Sequence, residues 1–181
     1  MGKAVGILEI AGIAPGYLLA NEINKHTAVD VLQAGTICPG NFLMIISGDT
    51  ASVATAMELV QTSGAEGVIS HGMLANIDQG VVQALVSPRS IPLDQAMGIV
   101  ETLAITPAIL AADGAVKAAS VELIDVRIAG GMAGKALVVF AGAVDAVQAA
   151  LAHVAQLLDP EDLASAVLLA SPHPELLAHW Q

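Results

Sequence analysis

The chain has 181 residues, of which 55% are hydrophobic and only 2% aromatic, so its core must be packed from small aliphatic side chains. Its net charge is −11 with only six Lys and Arg, which argues against nucleic acid as a partner, because that role needs a basic face to replace phosphate counterions. No apolar run approaches the roughly 18–20 residues of a spanning helix, so no membrane is expected, and a single cysteine excludes an internal disulfide.

Taken in chain order, Val5–Ile10 is a short apolar run of strand length, ended by a Pro-containing turn. Pro15 suits the first turn of a helix that runs to about Lys25. Val29–Ile37 and Phe42–Gly48 read as a second and third strand, joined by the loop Cys38-Pro39-Gly40-Asn41. Asp49–Val60 follows as a helix with Asp49 or Thr50 as its N-cap. Gly67–Ser70 is a fourth strand, and Ser87–Pro92, with turn residues at both ends, is a linker.

The order then repeats. Met97–Leu103 is a strand, Pro107 opens a helix that ends near Lys117, and Val121–Ala129 and Ala136–Gly142 are strands flanking a Gly-rich loop at 130–134. Val144–Leu158 is a helix and Ala166–Leu169 a last strand, and each half closes on a short helix. The repetition extends to residues: Ala4, Gly6, Ile7, Glu9, Ile13, Pro15, Leu18, Lys25 and Val29 recur as Ala96, Gly98, Ile99, Glu101, Ile105, Pro107, Leu110, Lys117 and Val121. A period near 92 residues is too long for a solenoid unit, so each half is a small domain, 1–90 and 91–181. Strands alternating with helices around a central hairpin predict an α/β chain, in detail an α+β sandwich whose sheet carries helices on one side. Surplus apolar surface predicts an oligomer. The N-terminus carries no secretory pattern, and a cytoplasmic protein is expected.

The copies diverge most at Thr36-Ile37-Cys38-Pro39-Gly40, which the second copy replaces with a glycine-rich segment. A lone cysteine ordinarily packs as a small apolar residue, and Pro39 and Gly40 allow a tight turn beside it. His26, His71, His153, His173 and His179 have no ligand spacing and read as solvated or capping residues. Lys25 and Lys117 read as helix-end cations favoured by the macrodipole. Glu9 and Glu101 read as a structural pair, since no second acid or histidine recurs beside them. The 130–131 glycine pair leads into a strand and is not a phosphate loop. No nucleophile–base constellation is present, so the chain is not expected to be an enzyme.

The openings AVGILE and AMGIVE, the run VKAASVEL, the hairpins before SGD and AGAV, and the late SPHPEL resemble the bacterial microcompartment shell domain. Two copies in one chain resemble the tandem shell proteins of that family, which form trimeric pseudohexamers. The resemblance implies a homotrimer that tiles with other microcompartment shell proteins in a shell within the cytoplasm. It also implies that Lys25 and Lys117 lie at the tile edge. The loop Thr36–Gly40 is similar to that of an iron–sulfur-binding member. It implies one [4Fe-4S] cluster per trimer, ligated by Cys38 of each chain, with Thr36, Ile37, Pro39 and Gly40 as the pore loop and a redox partner on the lumenal or cytoplasmic side. The family commonly carries a Pro-Arg-Pro-His segment near its end, where this chain reads Ala170-Ser171-Pro172-His173. Two alternatives stay open: a tile with an open metabolite or cofactor pore lined by Cys38, and a soluble ferredoxin-like sensor or enzyme.

Overall fold

A computed structural model describes residues 3–87, 89, 94–128, 132 and 134–178. The element order is β1 (Lys3–Ala11), α1 (Ile13–His26), β2 (Asp30–Ile37), β3 (Asn41–Asp49), α2 (Thr50–Thr62), β4 (Val68–Leu74) and α3 (Gln79–Val86). The second half follows with β5 (Ala96–Thr102), α4 (Ile105–Ala118), β6 (Val121–Ile128), β7 (Ala136–Gly142), α5 (Val144–Leu157), β8 (Leu163–Leu169) and α6 (Pro174–Ala178). The chain divides into two compact units, the first Met1–Val82 and the second beginning at Gln83. Most of the expected linker Ser87–Pro92, most of the 130–134 loop and His179 lie outside the described residues.

Each unit holds one four-stranded sheet, in the orders β2-β3-β1-β4 and β6-β7-β5-β8, and every neighbouring pair is antiparallel. The duplication reaches the irregularities. Register shifts between Val31 and Gln33 in β2, and between Glu9 and Ile10 in β1. The same shifts recur between Leu123 and Asp125 and between Glu101 and Thr102. Bulges bend a strand and increase its twist, so both copies inherit the same curvature.

Alternation along β1 and β3 sends Ala4, Leu8, Ile10, Phe42, Met44 and Ile46 to one face, where Leu19, Ala20 and Ile23 of α1 and Val53, Ala56, Met57 and Val60 of α2 cover them. Helices lie close to a sheet this poor in aromatics only if small residues make room. A Cβ on Gly16 of α1 would stand 2.2 Å from the Phe42 ring, and one on Gly98 of β5 would stand 2.3 Å from Phe140. Pro15 and Pro107 occupy the first turns of α1 and α4, where N–H groups have no intrahelical acceptor. Asp49 is the N-cap of α2: its carboxylate accepts from the Ser52 N–H at 2.9 Å and the Ser52 hydroxyl at 2.7 Å.

Two expectations are revised. Helices do not keep to one side of the second sheet, because Leu177 of α6 packs with Met97, Ile124, Val139 and Ala141 on its other face. The short helix expected at the end of the second half is there, but five residues carry no helical period that would tell which face it covers. The fourth strands also run longer than Gly67–Ser70 and Ala166–Leu169, since both are exposed edge strands held by backbone pairing to β1 and β5 and not by an apolar pattern.

Candidate functional site

Cys38 stands at the tip of the β2–β3 hairpin. Ile37 and Asn41 are the last paired residues, leaving Cys38, Pro39 and Gly40 as the loop. The Cys38–Pro39 peptide is cis, and the Gly40 N–H donates to the Ile37 carbonyl at 2.9 Å, which makes a type VI turn. Gly40 has φ +118°, a conformation that side chains disfavour, so the glycine belongs to the turn itself. Ile37 is buried, whereas Thr36, Cys38, Pro39 and Gly40 are exposed. Phe42, fully buried beneath Gly16 with its ring centroid 4.8 Å from that of Tyr17, anchors the returning strand. The thiol therefore points away from the role of a small core residue: it is free and exposed.

Below the tip, Asn41 Nδ2 donates to Glu9 Oε1 at 3.0 Å. The second copy carries Lys135 at the equivalent place, with Nζ 2.8 Å from Glu101 Oε1 and the Ser165 hydroxyl 3.2 Å from Oε2. The Lys135 hydrogen bond, then the Ser165 hydroxyl, hold the Glu101 carboxyl below its ordinary range. Glu9 and Glu101 are thus structural acceptors at the hairpin bases. The partners Asn41 and Lys135 were not foreseen. Their signal was the exchange of one polar residue for another at the same place in an otherwise matching repeat.

Lys25 and Lys117 lie apart from the hairpin, in the last turns of α1 and α4. Both are exposed and each is tied to an acid of its own helix, Lys25 to Glu22 at 3.2 Å and Lys117 to Asp113 at 2.6 Å. His26 donates from Nδ1 to the Glu22 carbonyl at 2.8 Å, and His173 Nδ1 accepts from the Glu175 N–H at 3.3 Å, so both serve helix ends. Two shallow depressions, of about 370 Å³ beside His71 and Val68 and about 530 Å³ beside Ser120 and Asp145, do not include Cys38.

Among the described residues of one chain the donors do not make a metal centre. Cys38 is the sole cysteine, and among the described residues no three His, Cys, Asp or Glu side chains gather. No helix among the described residues is long and apolar enough to cross a membrane.

The BMC domain family matches residues 4–77 and again 96–172, one match in each compact unit. The chain belongs to that family. It is a bacterial microcompartment shell protein, structural and not catalytic, with its place in the microcompartment shell. The shell protein is 38% identical over 151 residues to the bacterial microcompartment shell protein PduT of Citrobacter freundii, covering 83% of this chain and 82% of that one. A crystal structure of a microcompartments protein from Desulfitobacterium hafniense DCB superposes with a TM-score of 0.92 at 33% identity, covering 97% of this chain and 98% of the other. A fused permuted hexameric shell protein of the RMM microcompartment shares the fold, with a TM-score of 0.59 at 21% identity over 86% of this chain and 83% of the other. Family membership overturns the alternative of a soluble ferredoxin-like sensor or enzyme.

Proposed function

We propose that this shell protein assembles as a homotrimer, a pseudohexagonal tile of six domain copies, and that Cys38 of the three chains ligates one [4Fe-4S] cluster at the threefold axis. The observation that supports this reading is the exposed, free thiol at the apex of a three-residue hairpin loop. A thiol so placed has no task in its own core and is available to a neighbour. Three such thiols would serve three irons of a cubane cluster, leaving the fourth iron without a protein ligand. When bound, the cluster supplies one-electron transfer between the two sides of the shell, and a redox partner from the lumen or the cytoplasm completes the path.

The remaining residues divide the work. Thr36 and Ile37 end β2, Pro39 and Gly40 shape the turn, and Phe42 and the Asn41–Glu9 hydrogen bond hold the hairpin base. Lys25 and Lys117 face neighbouring tiles at the tile edge, among other shell proteins. Because no three His, Cys, Asp or Glu side chains gather among the described residues of one chain, a rival reading is a tile whose open pore is lined by the thiol.

Iron and acid-labile sulfide analysis after anaerobic reconstitution separates the two. The cluster reading expects brown protein that loses colour and iron in Cys38→Ser. Colourless, iron-free wild-type protein would remove the cluster and leave the open-pore tile.

A further inference from the structure

The chain has only six Lys and Arg, and one of them, Arg89, stands in the segment between the two repeats. It is held at three points. Its N–H donates to the Ile124 carbonyl at 2.7 Å, its Nη2 donates to Gln83 Oε1 of α3 at 2.8 Å, and its Nη1 pairs with Glu122 of β6. All four residues belong to the second compact unit.

The place it grips is a weak point of that sheet. β6 is an edge strand, and Ile124 is its bulged residue, skipped where the pairing with β7 passes from Leu123 to Asp125. A bulge interrupts the ladder, and an edge strand offers its outward N–H and C=O groups to any extended chain that comes alongside. The Arg89 backbone takes one such group at the interruption, and its side chain spans from β6 to α3. Arginine suits this position, because its fork of donors serves two acceptors at once, where a lysine ammonium is a single point charge on a flexible stem. Among the described residues, the matching bulge of the first copy, at Leu32, receives no backbone hydrogen bond from outside its sheet.

We propose that Arg89 is a strap that closes the β6 edge at its bulge, and that the ion pair with Glu122 is the lock on that strap. Closed, it denies the bulge to an extended segment of another chain; open, it bares the edge while the sheet beneath stays folded. The Arg89 and Glu122 side chains are 45% and 53% exposed, so salt screens their attraction and ionic strength releases the lock. The strap lies within one unit of one chain and stands apart from the cluster and tile readings.

Limited trypsin digestion of the full chain tests the lock, with release of the fragment ending at Arg89 followed by mass spectrometry and normalised to a peptide substrate at the same salt. Trypsin must draw the Arg89 side chain into its own acidic pocket, so it cuts the open strap at a rate that follows the open population. Glu122→Gln is expected to release the fragment about 2–5-fold faster than wild type at low salt, the range of an exposed ion pair. High salt is expected to bring the wild type to the rate of the variant. Arg89→Pro, which has no N–H to give Ile124, tests the closed edge: it is expected to keep its far-UV circular dichroism and to scatter light several-fold sooner than wild type on concentration. Equal release from wild type and Glu122→Gln at low salt would overturn the lock. An Arg89→Pro protein as dispersed as wild type would overturn the closed edge. Should Arg89→Pro fail to fold, Gln83→Ala combined with Glu122→Gln, which strips both side-chain ties, takes its place in the scattering assay with the same expected and contrary results.

Discussion

Lys135 Nζ lies 2.8 Å from Glu101 Oε1 at the place where the first copy sets the Asn41 amide 3.0 Å from Glu9 Oε1. One acid thus holds the loop end of each central hairpin, through a neutral donor beside the cysteine loop and through a cation in the other copy.

Removing the cation tests that relationship. Because the Lys135 and Ser165 hydrogen bonds lower the Glu101 pKa, the ionised carboxylate stabilises the fold above its ordinary pKa of 4.5, and this contribution fades as pH falls through the lower folded value. Lys135→Met should raise the Glu101 pKa toward 4.5 in a carboxyl-carbon NMR titration, and should flatten the acid limb of stability below about that pH. Asn41→Ala should leave the Glu101 titration unchanged.

Helix capping separates the copies in the same way. Asp49 caps α2 through Ser52, whereas Ala143, with nearly the same extended backbone, starts α5 with no side-chain cap. Asp49→Ala should cost about 0.5–2 kcal/mol in denaturant unfolding. The reverse graft, Ala143→Asp, should stabilise the second domain by about 0.5 kcal/mol, the low end of that range. Asp145 already accepts from the Ala146 N–H at 2.9 Å, which limits the gain.

Close approach makes glycine hard to replace where the neighbour is rigid. Gly98→Ala drives a methyl into the fully buried Phe140 ring and should destabilise by about 1–3 kcal/mol. Gly6→Ala meets Ile46 Cγ1 at 2.8 Å and Met57 Cε at 3.0 Å, a milder overlap than the 2.3 Å at Phe140 and one from which the methionine end can turn aside, and should cost less. Phe140→Leu combined with Gly98→Ala should recover part of the loss, measured as a shift in unfolding midpoint.

Lys25 and Lys117, which the proposed reading puts at the tile edge, should separate tiling from folding. Lys117 and Asp113 are four residues apart on an exposed helix surface, a pairing worth about 0.2–0.5 kcal/mol. Lys117→Ala should therefore leave thermal stability nearly unchanged. On the tile reading, it should prevent the protein from forming extended sheets, as checked by electron microscopy, and Lys25→Ala should weaken them.

The internal repeat made most of the fold legible. Matching Gly6 with Gly98 and Glu9 with Glu101 aligned the β1 and β5 strands before any contact was known, and Pro15 and Pro107 located the helix starts. The Cys38 turn was legible too, because Pro39 fixes its φ and Gly40 permits the positive φ that follows. The full length of β4 and β8 was not, since Ser70, His71 and Gly72 show no alternation when the strand is held by its backbone and bathed in solvent. Nor was the unequal exposure of Tyr17 and Ile109. Both are large and apolar on matching helices, and only three-dimensional packing distinguishes a covered face from an open one.

Native mass spectrometry of the anaerobically reconstituted protein tests the central claim most directly. The account predicts a species of three 18.2 kDa chains carrying the mass of one [4Fe-4S] cluster, and in Cys38→Ser the same three chains without it. A species of one or two chains, or iron retained by Cys38→Ser, would contradict it.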